Sequence, residues 1–183
     1  MIKTKYLEQD SMILGLTLLY VGAVLFINGI WLLGKISNQE VSIINVLVGL
    51  LSFIIAMHLI FKDPNNTVEI SAGAFTLLFS ITYLWVGANQ WLKSDGKGLG
   101  WFCLFVSITA AVIGVHSIAG YTTSFKLWNT VNWFAWSLLW LSFFYLLALA
   151  KPIQRHVATY TIFCAIFTGW IPGVMILLGG IST

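Results

Sequence analysis

The segment Trp128-Asn-Thr-Val-Asn-Trp-Phe-Ala-Trp-Ser-Leu-Leu-Trp140 contains four of the chain's nine tryptophans and carries no charge. In an α-helix each residue turns about 100° around the axis, so Trp133, Trp136 and Trp140 share one face within an arc of about 60°. A helix that faces lipid is expected to show Leu, Ile and Val at this depth and to keep Trp for the two interfaces. The stripe therefore indicates either aromatic packing between helices or a flat-walled slot for a small planar solute.

The composition of the whole chain is that of a membrane protein. Hydrophobic residues make up 59% of the 183 residues and charged residues only 8%, against about 25% charged in soluble domains. Six segments lack Asp, Glu, Lys and Arg, and each has between 21 and 28 residues: 11–34, 41–61, 70–92, 98–125, 127–150 and 156–183. About 20 apolar residues cross the hydrocarbon core as a helix, so each segment is long enough for one crossing and too short for two.

The sequence therefore predicts an all-α polytopic membrane protein with six transmembrane helices. A membrane β-barrel is excluded because its strands are segments of about 10 residues with alternating polarity. The predicted loops are short, so consecutive helices should be antiparallel neighbours, and the chain is interpreted as three two-helix hairpins. We expect a single transmembrane domain over residues 1–183, with helices at approximately 12–33, 41–61, 70–91, 99–119, 128–150 and 156–178.

Lys and Arg are distributed almost evenly over the two sets of loops. Five lie after helices 1, 3 and 5, and four lie in the N-terminal tail and after helices 2 and 4. Under the positive-inside rule this difference slightly favours both termini outside. The net charge of +3 comes without a basic cluster, which argues against nucleic-acid binding. Cys103 and Cys164 fall inside predicted helices and are interpreted as small apolar fillers, and no metal or cofactor is expected.

The predicted helices contain no Asp, Glu, Lys or Arg. Ion pumps and proton-coupled transporters usually need such a group inside the membrane, and hydrolysis needs an acid–base pair or an activated nucleophile. The neutral hydrogen-bonding side chains beside the aromatic faces include Asn28, Thr76, Tyr83 and Gln90. They could offset the cost of about 4–8 kcal/mol for burying an amide-like group without a hydrogen bond. This lining favours passage of a neutral planar solute and argues against an enzyme.

Four stretches carry a resemblance to a known family. They are Leu18-Leu-Tyr-Val-Gly22 with Asn28-Gly29, Thr82-Tyr-Leu-Trp85 with Asn89, Trp133-Phe-Ala-Trp136 with Trp140, and Thr168-Gly-Trp-Ile-Pro172. Together they resemble the AmiS/UreI family of urea and short-chain amide channels, over nearly the whole chain. The resemblance implies three two-helix hairpins around a pore in each protomer and a homo-hexameric ring in the lipid bilayer of the bacterial inner membrane. It also implies passive flux of urea or short-chain amides, coupled in function to a cytoplasmic urease or amidase.

The resemblance also implies roles for particular residues. Tyr83 and the three tryptophans of the stripe match constriction and slot residues, and Asn28 matches a pore-side or supporting polar group. Two departures argue against strong acid gating: the loop after helix 2 is short and lacks His, and Cys164 stands where some members carry a carboxylate. A constitutively open pore or a different pH control is then expected. His58 and His116 are candidates for pH sensing, with simple placement at the membrane interface as the alternative.

The sequence is also compatible with two other classes of function. A secondary transporter for a neutral solute is disfavoured by the missing coupling charge. A membrane scaffold without transport would show no permeability although its assembly is intact. A channel for urea is the favoured hypothesis, with short-chain aliphatic amides as the alternative substrates.

Overall fold

The computed structural model describes the backbone of residues 2–118 and 123–180, with side chains from Ser11 onward. Within these residues the elements are α1 (Ile2–Leu32), α2 (Asn38–Lys62), α3 (Thr67–Leu92), α4 (Lys97–Ile118), α5 (Ser124–Leu147), α6 (Gln154–Cys164), a π-helical segment (Ala165–Trp170) and α7 (Ile171–Leu177). The last three are continuous and form the sixth span, Gln154–Leu177. Six spans are long and apolar enough to cross a membrane, which confirms the predicted all-α class with six transmembrane helices.

Three of the helices begin a few residues before the charge-free segments, where a polar side chain caps each of them. At the start of α2, Ser37 accepts a hydrogen bond from the Glu40 backbone N–H, and the Glu40 carboxylate accepts one from the Ser37 N–H. This capping box satisfies two backbone donors that would otherwise be unpaired. Asn66 caps α3, and Thr123 caps α5. Helix α5 consequently begins at Ser124 rather than at the predicted position 128.

The helices pack in three main pairs. Helix α2 packs along α3, and α4 packs along α5, so both of these pairs are hairpins of consecutive helices. The third pair joins the two ends of the chain, because α1 packs along the whole sixth span. Contacts between α1 and α2, α3 and α4, and α5 and α6 are less extensive. The prediction of three two-helix hairpins is therefore corrected in one pair: two pairs are hairpins, and the third joins the first and last spans and closes the bundle.

Small residues allow α1 to approach the sixth span closely. A Cβ atom built on Gly22 would lie 2.5 Å from the Trp170 backbone nitrogen, and one built on Gly169 would lie 2.6 Å from the Gly22 Cα atom. Backbones this close gain dispersion contacts, which drive helix association where lipid tails remove the hydrophobic effect. These glycines therefore hold together the two ends of the chain, and they fix where the π-helical segment sits against α1.

We expect Gly22→Ala to destabilise the folded protein. The added methyl group meets backbone atoms that cannot rotate away, and overpacking of this kind typically costs about 1–3 kcal/mol. The neighbouring Ala23 is exposed, so Ala23→Val adds bulk on the same helix without such a contact and serves as the control. Thermal unfolding of the purified proteins in detergent measures the difference. Equal transition midpoints for wild type and Gly22→Ala would contradict the prediction.

Candidate functional site

The described residues of the bundle line two neighbouring cavities that share part of their walls. The large cavity, of about 580 Å³, is found where α3 and α5 begin and α4 ends. The small cavity, of about 30 Å³, lies deeper and is enclosed by α1, α3, α4 and α5. Phe79 and Trp136 line both cavities. The two rings therefore form a partition between the cavities, and the path from one end of the bundle toward its interior narrows there.

Aromatic rings from α3 and α5 build this partition and the space behind it. The Phe79 ring centroid lies 4.9 Å from that of Trp136 at an interplanar angle of 81°, and 4.7 Å from that of Trp140 at 58°. Tyr83 follows one turn later on α3, with its ring centroid 6.4 Å from that of Phe79. Edge-to-face and tilted contacts of this kind suit the quadrupoles of aromatic rings. They produce a wall of fixed, flat surfaces around the small cavity.

The tryptophan stripe of α5 faces the interior of the bundle. Trp133, Trp136 and Trp140 are 8%, 5% and 5% exposed. Trp133 lines the large cavity, Trp136 lines both cavities, and Trp140 lines the small one. Trp133 also packs edge-on against Phe75 and against Trp136, with centroid distances of 5.5 and 5.2 Å. The stripe therefore combines packing between helices with the lining of cavities.

The polar atoms of these rings differ in their hydrogen bonding: two indole N–H groups are paired, and one phenol hydroxyl is not. The Trp136 indole N–H donates to the Thr168 hydroxyl at 2.9 Å, and the Trp140 indole N–H donates to the Thr82 hydroxyl at 3.3 Å. Tyr83 is 2% exposed and lines the small cavity, yet its hydroxyl has no hydrogen-bond partner among the described residues. Buried polar atoms are nearly always paired. The Tyr83 hydroxyl is therefore available to a molecule that enters the small cavity.

Asn28 lines the small cavity, but its side-chain amide is largely occupied by hydrogen bonds to α2. Its side-chain amide donates to the Asn45 side-chain oxygen at 3.1 Å, and the Asn45 amide donates back to the Asn28 oxygen at 2.6 Å. The Asn45 amide also donates to the Val41 carbonyl at 2.8 Å. Both asparagines are buried. The pair ties α1 to α2 and presents one edge of Asn28 to the cavity.

The remaining predicted site residues are spread along the bundle. Thr76 lines the large cavity, with its hydroxyl donated to the Ala72 carbonyl at 2.8 Å. Gln90 lies one helical turn beyond Val86, where the small cavity ends on α3, and it lines neither cavity. His116 is exposed and lines the large cavity, whereas His58 is exposed on α2 and lines neither.

Several residues of the lining were not singled out from the sequence. Phe79 is the most important, and its signal was present: Phe75, Phe79 and Tyr83 are spaced four residues apart and so share a face of α3. Thr82 could be identified only from the fold, because the packing of α3 on α5 brings its hydroxyl to the Trp140 indole. Cys103, expected to be an apolar filler, is 1% exposed and lines the small cavity.

The described residues that line the two cavities include no Asp, Glu, Lys or Arg. The described part of the chain also holds no group of three His, Cys, Asp or Glu side chains that could bind a metal ion. A charge entering such a lining would lose its hydration without gaining a counter-charge. Six spans around narrow, aromatic and uncharged cavities define a polytopic membrane protein of the class that passes small neutral solutes.

Comparison with known proteins gives the family. The chain belongs to the AmiS/UreI transporter family, whose model matches residues 13–180, and this confirms the resemblance inferred from the sequence. Over 167 residues the chain is 34% identical to the putative transporter protein AmiS2 of Rhodococcus erythropolis, which covers 91% of this chain and 80% of the relative. Over 170 residues it is 35% identical to a putative amidate substrates transporter protein of Mycolicibacterium smegmatis, covering 92% of this chain and 78% of the relative.

Urea channels are also among its relatives. The chain is 29% identical to the acid-activated urea channel of Helicobacter pylori, in an alignment that covers 90% of this chain and 97% of the relative. The crystal structure of the Helicobacter pylori urea channel matches with a TM-score of 0.82 and 30% identity, over 91% of this chain and 98% of that chain. These are transporters and channels, in agreement with the expectation that the chain is a multi-pass membrane transport protein and not an enzyme.

The Asn28–Asn45 pair is expected to couple α1 to α2 energetically. Replacing either residue by Ala breaks the same hydrogen bonds, so the double variant should lose less stability than the sum of the single variants. Interhelical hydrogen bonds in membranes suggest a coupling of about 0.6–1.7 kcal/mol. A double-mutant cycle on unfolding in detergent measures it. Asn45→Ala combined with Asn132→Ala, two sites without a shared bond, should be additive, and additivity at Asn28 and Asn45 would contradict the prediction.

Proposed function

We propose that this protein is a passive channel for urea or a short-chain amide across the bacterial inner membrane. The observation that carries the proposal is the unpartnered Tyr83 hydroxyl in an uncharged cavity walled by Phe79, Trp136 and Trp140. A free hydroxyl beside flat rings suits a small planar molecule that needs both stacking and a hydrogen bond. An ion would find neither a counter-charge nor enough ligands to replace its water.

The geometry supports a sequence of steps for permeation. A solute enters the large cavity while still hydrated, because this cavity is wide enough for several waters. At the partition of Phe79 and Trp136 it must shed most of its water, since the small cavity measures only about 30 Å³. Stacking on the indole faces and a hydrogen bond with the Tyr83 hydroxyl offset part of that loss. Because these contacts are few, the solute is held weakly enough to leave again.

Urea and short aliphatic amides share the chemistry that this lining would recognise. Both are neutral and planar, and both carry a carbonyl acceptor and amide donors. The relatives include proteins named as urea channels, at 29–31% identity, and a putative amidate substrates transporter protein, at 35% identity. The putative transporter protein AmiS2 is 34% identical. The relative named for amidate substrates supports short-chain amides as the second candidate substrate class. The uncharged lining supports passive flux over coupled transport or a scaffold role.

The larger assembly follows from the family resemblance. We propose a homo-hexamer in which each protomer is a single transmembrane domain with its own pathway, since both cavities lie within one chain. With both termini outside, the large cavity is the outer one, and His116 is a better candidate for pH sensing than His58 because it lines that cavity. A cytoplasmic urease or amidase would consume the solute and so maintain its inward gradient.

Proteoliposomes test the transport class directly. We expect urea flux that rises linearly with concentration and is independent of proton and sodium gradients. Trp140→Ala removes one wall of the small cavity, so the ratio of urea to glycerol permeability should fall several-fold while assembly is retained. Trp91 is 59% exposed, and Trp91→Ala is the matched control that should leave the ratio unchanged. Saturating, ion-dependent or absent urea flux in the wild type would contradict the proposal.

Tyr83→Phe separates the role of the hydroxyl from that of the ring. Because this hydroxyl is buried without a partner among the described residues, its removal should not lower the stability. Urea flux should fall about twofold to tenfold, the change that corresponds to the loss of one hydrogen bond. Tyr160 is the matched control, since its hydroxyl donates to the Ala135 carbonyl at 2.9 Å and Tyr160 does not line the small cavity. Tyr160→Phe should lower the unfolding midpoint and leave flux intact. The opposite pattern would remove Tyr83 from the pathway.

A further inference from the structure

The motif Thr168-Gly-Trp-Ile-Pro172 lies at the π-helical segment of the sixth span. The Ile171 N–H donates to the Ile166 carbonyl, five residues earlier, which is the wide turn of a π-helix. Pro172 has no N–H to offer the carbonyl four residues before it, and that carbonyl belongs to Thr168. The Asn132 side-chain amide of α5 reaches it at 3.5 Å. The irregular turn thus brings Thr168 against α5.

The Thr168 hydroxyl joins its own helix to the tryptophan stripe. It donates to the Cys164 carbonyl at 2.6 Å, and it accepts the indole N–H of Trp136 at 2.9 Å. Because the hydroxyl hydrogen is bound to the backbone, an oxygen lone pair is left pointing in a fixed direction. The β-branched side chain has few rotamers, so the acceptor stays in place. Thr168 is 4% exposed, and water has little access to this bond.

Thr82 of α3 repeats the arrangement one helical turn further along the stripe. Its hydroxyl donates to the Leu78 carbonyl at 2.6 Å, and it accepts the indole N–H of Trp140 at 3.3 Å. Two threonines from two different spans therefore hold two successive indoles of the stripe. In each case the backbone bond of the threonine determines the direction in which the indole N–H points.

We infer that Thr168 and Thr82 are positioning residues that set the selectivity of the small cavity. By binding both indole N–H groups, they fix the planes of Trp136 and Trp140 and remove two donors that would otherwise compete for a solute carbonyl. The cavity then discriminates by planarity, with the Tyr83 hydroxyl as its free polar contact. This inference rests on the proposed function. It adds a structural reason why the cavity would pass a flat amide more readily than a non-planar polyol of similar size.

Paired substitutions at Thr168 separate hydrogen bonding from packing. Thr168→Val keeps the shape and removes the hydroxyl, whereas Thr168→Ser keeps the hydroxyl and removes a methyl group. We expect Thr168→Val to lower the ratio of urea to glycerol permeability in proteoliposomes about twofold to tenfold, the worth of one hydrogen bond, and Thr168→Ser to retain the wild-type ratio. The reverse order would overturn the inference, because it would mean that Thr168 acts by packing alone.

Thr161→Val is the matched control. The Thr161 hydroxyl lies in the same span, is fully buried, and donates to the Val157 carbonyl at 2.7 Å, but it holds no indole. Its replacement should leave the permeability ratio unchanged. Ultraviolet resonance Raman spectra give a second readout, since the indole band that reports N–H hydrogen bonding should shift in Thr168→Val and not in Thr161→Val. An absent shift in Thr168→Val would overturn the assigned bond, whatever solute the protein passes.

Thr82→Val tests the second anchor in the same way, and it decides the inference if Thr168→Val does not assemble. We expect it to lower the permeability ratio and to shift the same Raman band. An unchanged ratio in both valine variants, with normal urea flux in the wild type, would overturn this inference and leave the proposed function standing. Absent urea flux in the wild type would overturn the proposed function, and the selectivity role would fall with it.

Discussion

An unpaired polar group costs several kcal/mol in the hydrocarbon core, because no water is present to satisfy it, and this constraint governs the interior of the bundle. Asn28 and Asn45 satisfy each other across two helices. The Ser80 hydroxyl donates to the Gly49 carbonyl of the neighbouring helix at 2.9 Å, and the hydroxyls of Ser107 and Ser137 each donate to the other's backbone carbonyl at 2.8 Å. Among the described residues, the buried Tyr83 hydroxyl departs from this pattern and lies in a cavity. A solute in that cavity would supply the missing partner.

Much of the fold could be predicted from the sequence, because the bilayer imposes a length and a polarity on each span. The six charge-free segments correspond to the six spans, and caps such as Ser37 and Asn66 explain why some helices start slightly earlier. The pairing of helices was harder to predict. Short loops favour sequential neighbours, but the close backbone approach of Gly22 and Gly169 joins residues almost 150 positions apart. Nothing in local periodicity reveals such a contact.

The candidate site was predictable only where helical spacing carried the signal. The inward face of the tryptophan stripe followed from the i, i+3, i+7 positions alone. The partners of these indoles did not, since Thr82 and Thr168 lie on other spans and meet α5 only in three dimensions. Gln90 continues the spacing of the α3 cavity face, but the small cavity ends at Val86 and Gln90 lines neither cavity. Periodicity indicates a direction on a helix and not how far a cavity extends along it.

The π-helical segment has a consequence for how the family's sequences can change length. A turn closed over five residues holds one residue more than an α-helix would place there, so deleting a single residue between positions 165 and 170 could restore regular geometry at little local cost. Everything after the deletion would then swing by about 100° around the helix axis. Gly173 would then leave its contact with α1. The Trp136 indole N–H of α5 would lose the Thr168 hydroxyl as its acceptor. Alignments of related chains should therefore keep this segment free of gaps even where the residues themselves diverge.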